Sequence, residues 1–177
     1  MITLPNRYSY LLRENAPKVL VEALKLFGTR EIVGPLHSLE ILKWAKELGM
    51  QREYTADEIP WCGLFVGVVV ERADYNLVPI LLRAKQWLKW GNPVPEPMLG
   101  DVVVFTRVGG GHVGFYVGED ATHLHILGGN QNNSVSIARF PKSAAVGYRR
   151  SPWRIGQPAN VRKIHLSSTG ILNPSVV

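Results

Sequence analysis

The chain of 177 residues contains one cysteine, Cys62. An intrachain disulfide is therefore excluded, and so is a zinc site built on several thiolates. No run approaches the roughly 18 apolar residues of a membrane helix, so no stable membrane insertion is expected. The opening MITLPNRYSY lacks the basic start and apolar middle of a secretory signal. Acidic residues are also scarce, 14 against 20 Lys and Arg, for a net charge of +6. That excess either aids solubility or suits an anionic partner such as nucleic acid, an acidic membrane face or a polyanionic envelope. Basic residues gather in YRRSPWRIGQPANVRK without any nucleic-acid-binding signature, so no nucleic-acid partner is expected. Internal repeats and low-complexity stretches are absent as well, and an apolar fraction of 46% fits one domain with a real core.

The first half reads as helices. APKVLVEALKLFG places Pro17 in a first turn and Gly28 as a stop, and SLEILKWAKELG has Ser38 as N-cap and Gly49 as a stop. IPWCGLFVGVVVERADY is rich in β-branched valines. Its length and the helical spacing of Cys62, Phe65, Val66, Val69 and Ala73 nevertheless predict a buried helix. LLRAKQWLKWG predicts a further short helix. After NPVPEP the pattern becomes β: GDVVVF, HVGFYVG, HLHILGG, SVSIARF and AVGYRR are short and separated by turn residues. Helices followed by an antiparallel sheet make an α+β domain over 1–150. The stretch 151–177 reads as a basic, peripheral C-terminal tail.

Two residues stand out chemically, each with a plain alternative. A lone cysteine is usually a small buried hydrophobe, and a lone histidine on a strand is usually structural. Yet Cys62 lies in the first turn of the predicted helix, where free N–H groups and the helix dipole favour an anion. A neighbouring imidazole would complete a Cys–His nucleophile. His112 follows Gly109, Gly110 and Gly111, which either turn the chain or leave space for substrate.

The hairpin formed by HVGFYVG and HLHILGGN has its expected midpoint near Ala121. That places Asn130 opposite His112, with Cβ atoms about 5 Å apart, where its side chain would fix the imidazole tautomer. The same register places His125 opposite Val117, about 16 Å along from His112 and on the other face. A zinc site formed by His112, His123 and His125 is thereby disfavoured, and His123 and His125 are expected to face solvent.

DEIPWCGLFVGVVV, GDVVVF, GGGHVGFYVGED and LGGNQNNSVSIARF, in that order, resemble the nucleophile helix, first core strand, histidine strand and third-residue strand of the CHAP and NlpC-type cell-wall peptidases. These are papain-like cysteine amidohydrolases that include many phage endolysins. The resemblance covers roughly 57–149 and implies a papain-like fold. It implies Cys62 as nucleophile, His112 as general base and then acid, and Asn130 as orienting residue, with Gln131 as the fallback because no carboxylate matches the third position. Trp61, Gly110, Gly111 and Gln131 are the expected substrate-binding residues. It further implies hydrolysis of a peptidoglycan amide bond by a monomer without metal or cofactor. Such a protein would be made in the bacterial cytoplasm and would reach the wall through a holin, a virion or a secretion system. The competing readings are a zinc-dependent wall hydrolase and a non-catalytic wall-binding module.

Overall fold

The apolar run after Pro60 folds as a helix, α3 (Cys62–Arg72), despite its valines. Residues Cys62 to Val70 are all buried, and a helix apolar on every side belongs at the centre of a core. Two shorter helices pack on it. Helix α1 (Lys18–Lys25) buries Val19, Leu20, Ala23 and Leu24, and α2 (Leu39–Glu47) buries Ile41, Trp44 and Ala45. Gly28 and Gly49 end their turns at positive φ, as their positions after the periodic residues imply. Ser38 begins α2 without capping it through its hydroxyl. Its N–H instead donates to the buried Asp57 carboxylate at 2.7 Å, and that carboxylate also accepts the Ile32 N–H.

The protein is seen in a computed structural model that describes residues 3–34 and 36–167. Its sheet comprises β1 (Asn92–Val94), β2 (Val102–Arg107), β3 (Gly110–Glu119), β4 (His123–Gly128), β5 (Ser136–Pro141) and β6 (Ala145–Arg150). The order is β1-β6-β2-β3-β4-β5, every pair antiparallel. Strands β2 to β5 are the meander that the alternation of apolar runs and turn residues predicts. Val102, Val104, Val113, Phe115 and Leu127 join the core around α3. Val103, Phe105, Tyr116, Ile126 and Phe140 form a second, smaller core on the other face. The class is α+β. Among the described residues, no helix is long and apolar enough to cross a membrane.

Two regions differ from expectation. The helix expected in LLRAKQWLKWG is a 3-10 helix over Ala84–Lys89, and the boundary NPVPEP contributes the short edge strand β1. The stretch after Ser151, expected to be peripheral, runs back onto the sheet. Leu99 N–H donates to Arg162 O, Glu119 N–H to Ile164 O, and Leu166 N–H to Glu119 O, while Val161 is buried. Arg154, Arg162 and Lys163 form ion pairs with Asp74, Glu14 and Glu96. Segment 151–167 is thus docked on the domain by long-range backbone bonds; 168–177 lies outside the described residues.

Candidate active site

Cys62 is the first residue of α3 and is 4% exposed. The sharp approach of chain to helix there depends on Gly63, where a Cβ would stand 2.2 Å from Leu81 O. The backbone N–H groups of Val113, Gly63 and Cys62 itself lie near the thiol sulfur and favour its charged form. Val113 directly follows His112, so this contact ties the start of α3 to the histidine strand. Burial nevertheless pushes the thiol above its ordinary pKa, against the pull of those N–H groups and of the Arg107 charge. The resting sulfur is a neutral thiol.

His112 is 2% exposed, on β3 directly opposite Phe105. Its ring stacks on Phe140, with centroids 4.8 Å apart and planes 11° from parallel. Nε2 lies 3.0 Å from Gln131 Oε1. The tautomer follows from the other end of the Gln131 amide, whose nitrogen donates to Ile126 O at 3.1 Å and Ser136 O at 2.7 Å. With the nitrogen committed to two carbonyls, Oε1 must accept, and Nε2 must carry the proton that it accepts. The unprotonated nitrogen is therefore Nδ1, the arrangement a general base needs. Gly128 makes the pair possible, since a Cβ there would stand 2.5 Å from Gln131 Oε1 and 3.2 Å from His112 Nε2. Gly129, the next residue, leaves no room for a Cβ against Trp61 and Phe65. These two glycines link the imidazole pair to the start of α3.

Sequence reasoning placed several residues differently. The partner of His112 is Gln131, not Asn130: β4 ends at Gly128, and Asn130 sits in the following turn at φ 56°. Gln131, at 1% exposure, holds the His112 imidazole and does not line the cleft surface. Trp61 is fully buried. Its ring packs on Trp44 and its Nε1 donates to Glu31 at 3.0 Å, so it does not wall the cleft. His125, expected at the surface, is fully buried, donating from Nε2 to Asp120 at 3.0 Å and accepting at Nδ1 from the Tyr8 hydroxyl at 2.7 Å. His123 is half-buried against Thr122 and Asp120. Among the described residues, no three His, Cys, Asp or Glu side chains converge as a metal site. Phe140 and Arg107 were not singled out from the sequence; inward alternation along SVSIARF was the available signal for Phe140.

Cys62 opens into a cleft of about 440 Å³. One wall is the β2–β3 hairpin, with Arg107 and Gly109 to Gly111, and the facing wall is Leu82 to Gln86. The walls meet at Gly111, where a Cβ would lie 3.3 Å from Ala84 Cβ and 3.4 Å from Lys85 Cγ. Gly110 and Gly111 therefore line the cleft, and their missing side chains give its width.

Burial lowers the His112 pKa to about 4, with the Arg107 charge adding to the shift and the Gln131 bond opposing it. An unfolded chain would take up this proton near its ordinary pKa of 6.5. Between these values the unfolded state binds more protons, so stability falls as pH drops from 6.5 to 4 and this contribution levels off below. His125 shifts in the same direction by burial. Stability should fall by about 3 kcal/mol between pH 7 and pH 4 from His112 alone. Thermal denaturation should show a Tm lower by at least about 6 °C, with a flatter profile in His112→Gln. An unchanged Tm across that range would contradict the buried neutral imidazole.

No protein-family model matches the chain, and no curated protein matches it.

Proposed function

We propose that the protein is a papain-like cysteine hydrolase that cuts an amide bond in peptidoglycan, as an N-acetylmuramoyl-L-alanine amidase or a peptide endopeptidase. The observation that carries this reading is the His112 tautomer: Gln131 holds the proton on Nε2 and leaves Nδ1 unprotonated, on the strand whose next residue, Val113, has its N–H near the Cys62 sulfur. The peptidoglycan assignment rests on the motif resemblance and on the basic cleft.

Because thiol and imidazole are both neutral at rest, the proton moves as the bond forms. Cys62 Sγ attacks the carbonyl carbon while Nδ1 takes the thiol proton. The Cys62 N–H, at the positive end of α3, stabilises the oxyanion. The tetrahedral adduct collapses, the C–N bond breaks, and the imidazolium gives its proton to the leaving amine. Water, deprotonated by Nδ1, then adds to the thioester, and the C–S bond breaks to release the acid and restore the thiol. Gln131 acts throughout by holding the Nε2 proton. None of these steps requires a metal or cofactor.

The test is digestion of purified peptidoglycan followed by mass spectrometry of the released fragments. New amine termini should appear, each cut adding one water. Thiol alkylation should abolish release and EDTA should leave it unchanged. Sensitivity to EDTA would point to a zinc hydrolase, and wall binding without turnover would point to a binding module.

A further inference from the structure

The cleft above Cys62 is lined by three cations, Arg83, Lys85 and Arg107, and by no carboxylate. Elsewhere the chain neutralises many of its cations: Arg72 bonds Glu47, Arg139 bonds Asp120 and Arg150 bonds Asp101 through paired hydrogen bonds or ion pairs. None of the three cleft cations has an ion-pair partner among the described residues. They also come from both walls, Arg107 from the end of β2 and the other two from the segment that faces it. Unpaired like charges converging on a concave surface repel one another, a cost that a bound anion removes.

We infer that the cleft selects acyl substrates carrying a free carboxylate close to the scissile amide, with Arg107 as the main specificity-determining residue and Arg83 and Lys85 supporting it from the opposite wall. This rests on the reading that Cys62 attacks an amide bond in this cleft. Arg107 is singled out because its charge acts on both Cys62 and His112. Being half-buried and closing a tight turn to Gly110, it is also held in place, unlike the exposed Arg83 and Lys85. A carboxylate seated there would offset the Arg107 charge, which adds a smaller part to the lowering that burial imposes on the imidazole.

The experiment uses soluble stem peptides prepared from peptidoglycan, with their carboxylates free or converted to carboxamides. Calorimetric titration of Cys62→Ala, which binds without turnover, should give on the order of tenfold tighter binding of the free-acid form. About 0.5 M salt should remove most of that advantage. Arg107→Gln in the same background should abolish most of it while leaving the weak binding of the amidated peptide unchanged. In the otherwise wild-type protein, Arg107→Gln should raise KM for the acid peptide about tenfold and change kcat little; circular dichroism confirms that each variant is folded. Equal binding of the two peptides, no binding of either, or an advantage that survives Arg107→Gln combined with Arg83→Gln and Lys85→Gln would overturn the inference. Failure of the hydrolase reading shows separately, as free-acid binding with no cleavage by the wild-type protein.

Discussion

Cys62→Ser should lose about 10⁴-fold or more of the amide-cleaving rate while folding normally. A serine hydroxyl is smaller than the thiol and can accept from the Val113 and Gly63 N–H groups that lie near the sulfur, so the buried site stays filled by a polar group. Among the described residues lining the cleft there is no carboxylate or further imidazole to deprotonate an alcohol whose pKa lies far above a thiol's. His112, with a pKa near 4, is too weak for that task without the thiol's readier loss of its proton. Cys62→Ala should be equally inactive and stay within a few degrees of the wild-type Tm. Steady-state cleavage of soluble muropeptides together with a melting curve decides it. Activity surviving in either folded variant would eliminate the cysteine mechanism.

His112→Ala should cost about 10²–10⁴-fold in kcat, the usual range for a lost general base. Gln131→Ala should cost roughly 10-fold to 10²-fold, because it leaves both reacting groups in place and frees only the tautomer. The distinguishing readout is the pH profile of Gln131→Glu. A carboxylate facing Nε2 would stabilise the imidazolium, raise the base pKa and shift the acid limb of activity upward. Asn130→Gly and His123→Ala should remain near wild type, because neither side chain reaches the imidazole. His125→Ala should lower stability through the orphaned Asp120 and Tyr8 groups without a change in pH profile. A Gln131→Glu profile superposable on the wild type would refute the positioning role.

The elements that carry the site were largely legible in the sequence, and the places where reading failed have local causes. Helix α3 could be recognised because its length and spacing outweighed valine's preference for strands. The predicted pairing near the site is the observed one, Phe115 with Leu127 and Tyr116 with Ile126, but a bulge before Gly118 shifts the rest, so that His125 faces Gly118 rather than Val117. Bulges leave no reliable trace in an apolar alternation. Extending the correct register to Asn130 failed because β4 stops at Gly128, where consecutive glycines admit the close packing of Gln131 and Trp61. The glycines were visible; their requirement for contact was not. Burial of His125 rests on partners 5 and 117 residues away. The docking of 151–167 rests on backbone bonds from an irregular segment, and neither produces a periodicity.

The protonated state of Cys62 also determines how the protein ages in air. Peroxide attacks thiolates, and oxidation of a cysteine to sulfenic and then irreversible sulfinic acid follows thiolate character and access. Here the sulfur is held as a thiol, 4% exposed, and as the chain's one cysteine it has no neighbour with which to close a disulfide. In an oxidising medium the resting site is therefore chemically quiet. In the proposed mechanism the sulfur becomes reactive only as His112 takes its proton, against the one electrophile that the cleft then holds.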